Sequence, residues 1–340
     1  MRIGIDGRLL DKKNNTGISR YTEFMLDYYM SRYKKECIYI ITNDVNLKYL
    51  GCNIVYTSLK PFNLLHFCKY ARFVSQLKLD LLHVPFYSGT NMKLKETKVV
   101  VTVHDLMYRL VDDFFGINPF LNYAKRCYFD FIVKRTLINA DVVISVSQTT
   151  QMDLFNIFHV SSKHIPEFSI VHSKPDDSIL ERYGLERKKY FFYCGNNRLH
   201  KNLQFVIDLF NSHSDFPHLV LAGKGHADSK NVINLGVVTE NELKSLYTSS
   251  IAFIFPSKYE GFGLPILEAL DCKSLVIASE IPAFTEFKSK NILFFKIGDQ
   301  FSFVSAIKNA MKANFVEEPK FFEYYNINKI YSLLDMCCAK

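Results

Sequence analysis

Short apolar runs recur along the whole chain, and between them lie stretches with helical spacing. In the first half the runs are Arg2–Asp6, Cys37–Thr42, Asp80–Val84, Lys98–Val103 and Asp141–Val146. In the second half they are Tyr190–Cys194, His218–Ala222, Val232–Leu235, Ile251–Phe255, Leu275–Ala278 and Ile292–Phe295. Near-continuous apolar runs of this length read as strands buried on both faces. Helical spacing at Ile18–Arg32 and Leu121–Arg135 supplies two of the covering layers. The alternation predicts an α/β protein with parallel sheets.

The rhythm breaks once, near Ile165–Pro175, where Pro166, Pro175 and the polar run HSKPDDS read as a linker. That divides the chain into residues 1–165 and 166–318, followed by a C-terminal segment, 319–340, helical from Phe321 to Leu334. Ligands of such sheets bind beyond the carboxyl ends of the strands, so residues just after strands carry the candidate chemistry.

With 340 residues, 48% of them hydrophobic, the chain can fill two cores. No apolar run approaches the roughly 18 residues that span a bilayer. The opening MRIGIDGRLL reads as a first strand rather than a signal peptide. Eight cysteines (37, 52, 68, 127, 194, 272, 337 and 338) form no C-x-x-C and no metal-ligand spacing, which points to reduced thiols in the cytoplasm. The ending CCAK has no clear prenylation pattern. Charge is one-sided. Residues 1–165 hold 22 Lys and Arg against 14 Asp and Glu, a net of +8, and the remainder holds 20 of each. A basic first half fits an anionic partner such as a membrane surface. Two basic and aromatic stretches, Lys60–Arg72 and Phe114–Arg135, could lie on a membrane interface or pack as ordinary helices. No module motif points to nucleic acid.

The densest chemistry is PSKYEGFGLPILEA, Pro256 to Ala269. An apolar strand precedes it, Gly261 and Gly263 form a loop, and Pro265 suits a first helical turn. Unpaired N–H groups at that helix start attract a phosphate, and glycine lets it come close. Glu260 and Glu268 would repel a phosphate but could accept hydrogen bonds from sugar hydroxyls. A diphosphate flanked by sugars is a nucleotide sugar. Two surface glutamates on a strand–turn–helix unit are the plain alternative.

The segment resembles the E-x7-E signature of the retaining glycosyltransferases of family 4, which have the GT-B fold. EGFGLPILEAL, Cys272, LVIAS and Thr285-Glu286 follow the family's order. Lys273 stands where the family usually has Gly, and Thr285 where it often has Pro. The resemblance extends from Gly7 to Glu286. The loop Asn14-Asn15-Thr16-Gly17-Ile18-Ser19-Arg20-Tyr21 is similar to the family's GIGRY loop, with Ser19 in place of its second glycine. His104-Asp105 resembles the family's His-Asp element, and His83 to Tyr87 an element on the acceptor side. Lys201 matches the family's diphosphate-binding Lys, with Arg198 as its companion. Gly223, Gly225 and Val237–Leu243 resemble the base-binding region, and Ser147 to Thr150 a serine-bearing turn that reads as a helix N-cap.

The resemblance implies two facing Rossmann-like domains and a C-terminal helix crossing back to the first. It implies that the donor is held by Gly17, Arg198, Lys201, Gly225, Glu260, Gly261, Phe262, Gly263, Leu264 and Glu268. Glu260 would bind donor-sugar hydroxyls, Glu268 the ribose and His104 the sugar, while Lys201 and Arg198 hold the diphosphate. His104, Glu260 and Lys201 are then the catalytic set. No Asp-x-Asp occurs, so neither metal nor cofactor is expected. The D-x-R pattern with the GIGRY-like loop is similar to mannosyltransferase members, so mannose from GDP-mannose is preferred. The acceptor is a saccharide or lipid-linked saccharide of cell-surface polysaccharide or lipopolysaccharide synthesis, met in the cytoplasm or at the inner face of the membrane. The rivals are a nucleotide-sugar 2-epimerase-like enzyme and a non-catalytic saccharide- or nucleotide-binding protein.

Overall fold

The computed structural model describes residues 1–11, 16–112, 114–116, 118–168 and 174–338. Asn14 and Asn15 of the glycine loop, and His172 and Ser173 of the linker segment, lie outside the described residues. The chain forms two compact units: Met1–Glu167 with Ile327–Lys340, and Phe168–Asn326.

The first unit is built on a seven-stranded parallel sheet. Its strands are β1 (Ile3–Asp6), β2 (Ile38–Thr42), β3 (Asn53–Tyr56), β4 (Leu81–Val84), β5 (Lys98–Val103), β6 (Val142–Ser145) and β7 (Lys163–His164). Their spatial order is β3-β2-β1-β4-β5-β6-β7. The second unit holds six parallel strands: β8 (Tyr190–Cys194), β9 (His218–Ala222), β10 (Val232–Asn234), β11 (Ala252–Phe255), β12 (Leu275–Ser279) and β13 (Ile292–Phe295). Their order is β10-β9-β8-β11-β12-β13. Both units therefore share the doubly wound order in which the direction of winding reverses beside the first strand.

The apolar runs became strands because both faces of each sheet are covered. Ile3, Ile5, Val99, Val100 and Val101 are fully buried, as are Phe191, Phe192, Phe253 and Ile254. Two strands have no such signal. NIVY of β3 alternates between half-buried and exposed positions, and β7 is two residues long. Each is a sheet edge, where one strand face need not be apolar.

Polar caps set the helix starts. Thr16 accepts the Ser19 N–H at 3.3 Å ahead of helix Gly17–Arg32. Ser147 accepts the Thr150 N–H at 2.9 Å, capping helix Gln148–Phe158 as its sequence predicts. Asn118 caps Pro119–Asn139, with Pro119 in the first turn. The segment read as one helix from Phe321 to Leu334 is two helices, Pro319–Tyr324 and Ile327–Cys338. The break reflects two anchors: Tyr325 packs on Phe262 and Phe287 of the second unit, whereas Tyr331 packs on Phe24 and Tyr28 of the first. Asp335 fixes the last helix further by accepting from Tyr28 Oη at 2.8 Å and pairing with Arg32 at 3.1 Å.

Candidate active site

In the second sheet the chain winds one way from β8 through β9 and β10, then the other way from β11 onward. The crossovers after adjacent strands β8 and β11 therefore run in opposite directions, and a crevice is expected beyond the carboxyl ends of these two strands. Lys201 follows β8 and Glu260 follows β11. Lys201 Nζ donates to Glu260 Oε1 at 2.6 Å, with side chains only 16% and 13% exposed. The Lys258 N–H donates to His200 O at 2.7 Å and ties the two loops together. The Phe255 ring lies 5.0 Å from Lys201 Nζ.

The sequence reading places Lys201 on a diphosphate and Glu260 on sugar hydroxyls. Here each is the other's partner. Lys201 also ends a 3-10 turn, Leu199–Lys201, instead of opening a helix. Helix Leu203–Ser212 begins only after Asn202 has turned through φ 56°. Arg198 is exposed and anchored through its backbone N–H, which donates to Asn196 Oδ1 at 3.2 Å.

Glu268 lies in helix Leu264–Asp271, only 3% exposed, and accepts from Tyr247 Oη at 3.3 Å. The expected ribose ligand thus has a protein partner for one of its oxygens. Tyr247 itself packs edge-on against Phe192 and Phe253. Phe262 is buried against Phe287, ring centres 5.1 Å apart. Gly261 and Gly263 are buried and Leu264 is half-buried.

Two glycines are demanded by geometry. A Cβ on Gly263, at φ 121°, would lie 3.0 Å from the Phe284 ring and 3.1 Å from that of Phe287. A Cβ on Gly223, at φ 133°, would lie 1.9 Å from Gly195 O. Gly223 thereby lets the ends of β8 and β9 touch. Gly225, at φ 84°, is exposed, and its carbonyl accepts from Asn197 Nδ2 at 3.4 Å. In Val237–Leu243, Thr239 and Glu242 form a capping box for helix Glu240–Ser249, and Val237 is exposed.

In the first unit His104 follows β5. Its Nδ1 meets Glu167 Oε1 at 2.7 Å and its Nε2 meets Pro85 O at 3.0 Å. A carbonyl accepts only, so Nε2 carries a proton, and a carboxylate facing Nδ1 favours a second. Burial alone would lower the pKa of His104, but the hydrogen bond and charge of Glu167 outweigh it and raise it above the ordinary value. Both ring nitrogens of His104 thus have protein partners. Glu167 is the partner the sequence reading missed, because only the fold brings it 63 residues along the chain to His104.

His83 is also interior, not on an acceptor surface. It is fully buried, bonded to Tyr29 Oη at 3.0 Å and Thr102 Oγ1 at 2.9 Å, and burial pushes its pKa down to about 3. Gly17 opens its helix, with nothing within 4 Å of where a Cβ would stand. Ser19, at the variant glycine position, binds the backbone of Asp11: its Oγ accepts the N–H at 2.9 Å and donates to the carbonyl at 3.2 Å.

The D-x-R pattern, Asp6-Gly7-Arg8, lies at the switch point of the first sheet, between β1 and β4. It forms a buried pair with Arg8 Nη2 2.5 Å from Asp6 Oδ2. Tyr70 Oη donates to Asp6 at 2.6 Å, and the guanidinium lies 3.7 Å from the Tyr70 ring centre. The spacing of Asp6 and Arg8 was visible in sequence; Tyr70 was not. Among the described residues no group of three or more His, Cys, Asp or Glu could hold a metal ion, and no helix is long and apolar enough to cross a membrane.

Two family models cover these two units. Residues 29–166 match Glycosyltransferase Family 4, and residues 176–329 match Glycosyl transferases group 1. The chain belongs to the family 4 glycosyltransferases. Relatives similar to it include the O-antigen chain mannosyltransferase RfbU of Salmonella typhimurium, 30% identical over 226 residues. That alignment spans 62% of this chain and 60% of RfbU. The O-antigen chain mannosyltransferase B of Escherichia coli is 23% identical over 227 residues, spanning 59% of this chain and 58% of the relative. The matched stretch therefore covers less than two thirds of either relative's length. Among solved structures, sucrose-phosphate synthase from Thermosynechococcus elongatus superposes with a TM-score of 0.73 at 15% identity, over 99% of this chain and 98% of that one. The fold is GT-B.

Proposed function

We propose that this chain is a metal-independent, retaining glycosyltransferase that moves mannose from GDP-mannose to a saccharide or lipid-linked saccharide acceptor. O-antigen or related cell-surface polysaccharide synthesis at the inner face of the membrane is the setting that its similarity to the two mannosyltransferases supports. The observation that carries the reading is the Lys201–Glu260 pair at the switch point of the second sheet.

Both groups of that pair are held, mostly dry, where a nucleotide diphosphate binds in this fold class. A donor diphosphate draws Lys201 toward its β-phosphate, with Arg198 beside it, and Glu260 accepts from sugar hydroxyls. The loop of Gly261, Gly263 and Leu264 offers backbone at the start of a helix, where an anion is favoured. Gly225 and the loop beyond it bound the nucleobase, and Glu268, steadied by Tyr247, lies below the ribose. In the reaction the bond from the anomeric carbon to the β-phosphate oxygen breaks. The acceptor oxygen bonds to that carbon on the same face, its proton passes to the departing phosphate oxygen, and GDP leaves. Charge grows on the β-phosphate as the bond breaks, and a cation already fixed there lowers the barrier. In the first unit we assign His104 a positioning role, joining the ends of β4 and β5 to Glu167.

The test is a panel of UDP-, GDP- and TDP-sugars titrated onto the purified chain with and without chelator, followed by transfer to an acceptor saccharide. GDP-mannose should bind in chelator, and the product should keep the donor's anomeric configuration. Inversion of that configuration, or strict dependence on a divalent metal, would overturn the mechanism. Binding without any transfer would make the chain a binding protein instead.

A further inference from the structure

The proposed reaction gives Asp6 and Arg8 no part, yet both side chains are fully buried. All five N–H groups of the Arg8 side chain are engaged. Nε donates to Asp6 Oδ1 at 2.8 Å, and Nη2 donates to Asp6 Oδ2 at 2.5 Å and to Ser88 O at 3.3 Å. Nη1 donates to Leu59 O at 3.0 Å and to His66 Nδ1 at 2.7 Å. None is left for a phosphate or a sugar oxygen.

A dry ion pair is a poor source of stability, because desolvation offsets much of the attraction. A planar guanidinium does fix geometry. Here it fixes residues 85–89, the segment after β4. Beside the Ser88 carbonyl held by Arg8, Ser88 Oγ accepts the Phe62 N–H at 3.2 Å, and the Gly89 N–H donates to Thr136 Oγ1 at 3.1 Å. At the other end Pro85 O accepts from His104 Nε2 at 3.0 Å. The segment is pinned at both ends, with the half-buried Tyr87 between them. The Tyr87 ring packs on Phe62 and Tyr108, ring centres 5.8 and 5.6 Å away.

His66, on helix Leu64–Gln76, joins this arrangement in one tautomer. A guanidinium only donates, so Nδ1 is bare. Nε2 lies 3.1 Å from Gly89 O, and a carbonyl only accepts, so Nε2 carries the proton. The ring is 1% exposed. Burial and the charge of Arg8 push its pKa down to about 4, against the opposing charge of Asp6. Tyr70, on the same helix, has its ring 4.6 Å away and donates to Asp6 at 2.6 Å.

The first sheet has its own switch point, between β1 and β4, and ligands of this fold class bind at such points. With the donor assigned to the second sheet, the ligand left for the first is the acceptor. We propose that Arg8 is a positioning residue for acceptor binding, holding residues 85–89 so that Tyr87 meets an acceptor sugar at the carboxyl end of β4. This rests on the chain being a sugar transferase whose donor binds the second unit. Tyr87 supplies an apolar ring face and a polar tip, which match the two kinds of surface a sugar presents.

The test measures donor affinity, acceptor KM and direct acceptor binding in the full chain, with methyl glycosides of common hexoses, mannose included, as acceptor probes. Arg8→Lys keeps a charge beside Asp6 but loses the fork. It should raise acceptor KM by roughly tenfold to a hundredfold, the scale for a misplaced contact, and leave donor affinity at the parent's value. Tyr70→Phe keeps the fork, removes one donor to Asp6, and should show the same split at smaller size. Nitrogen NMR of the parent should show His66 neutral, with its proton on Nε2, down to about pH 5, where an ordinary histidine is charged. In Arg8→Lys that single tautomer should be lost. An unchanged acceptor KM in both variants, an equal loss of donor affinity, or a His66 that titrates near pH 6.5 would overturn the proposal. Glycoside binding without transfer would refute the transferase reading alone, and the variants should then weaken that binding. A parent that neither binds nor glycosylates any probe would overturn both.

Discussion

Lys201 and Glu260 stand 59 residues apart in the chain and 2.6 Å apart in space. Each follows a strand, and the two strands are neighbours only because the second sheet reverses its winding between them. Both groups are mostly buried, so neither can be removed without leaving the other an uncompensated charge.

Removing the cation is the first prediction. Lys201→Ala should lower kcat by about a hundredfold to a thousandfold, the scale for losing one fixed group at a developing charge. Glu260→Gln should also raise KM for the donor, since it weakens hydroxyl recognition and leaves the charge of Lys201. The double variant should lose less than the product of the single losses, because the two act as one unit. Multiplicative losses measured in steady-state transfer assays would show the pair to be incidental.

Tyr247 and Glu268 test the layer beneath. Tyr247→Phe deletes the hydroxyl that donates to the buried Glu268 carboxylate at 3.3 Å. Leaving a buried acceptor short of a donor costs about 1–3 kcal/mol, which urea denaturation should register as a lower midpoint at unchanged slope. Donor affinity should fall with it. A stability change of a few tenths of a kcal/mol would mean that the bond contributes nothing net.

His104 gives a pH signature. Its folded pKa is raised above the unfolded value by Glu167, which for free histidine is about 6.5. The stabilisation is therefore complete below about pH 6.5 and disappears as pH rises through the folded value. Glu167→Gln should lower the melting temperature of the first unit most in mild acid, with the gap from the parent closing toward alkaline pH. A gap independent of pH would show that the imidazolium is not what Glu167 stabilises.

Gly223→Ala is predicted to be severe for a reason unconnected with charge. The new methyl would stand 1.9 Å from Gly195 O in a backbone conformation that side chains rarely adopt. A loss of at least about 3 kcal/mol, or insoluble protein, is expected from a clash that only backbone movement can relieve. Gly17→Ala, with nothing within 4 Å of its Cβ site, is the matched control and should keep the parent's stability.

The period of the apolar runs was enough to establish parallel α/β architecture, because a strand covered on both faces must be apolar along its length. The runs from Lys98 to Val103 and from Tyr190 to Cys194 match their strands to the residue. Caps such as Ser147 were equally readable, since a cap bonds within its own turn. Glycine and proline after the apolar run at Ile251–Phe255 marked a strand–loop–helix unit, which the structure has. What local pattern could not supply was partnership. Lys201 with Glu260, His104 with Glu167 and Glu268 with Tyr247 join residues 59, 63 and 21 positions apart. Likewise, nothing in the stretch from Phe114 to Arg135 distinguishes an inward phenylalanine from an outward one until neighbouring elements cover one side of the helix. Residue type and spacing act over a few positions of chain, whereas charge pairing and burial depend on which strands the fold makes neighbours.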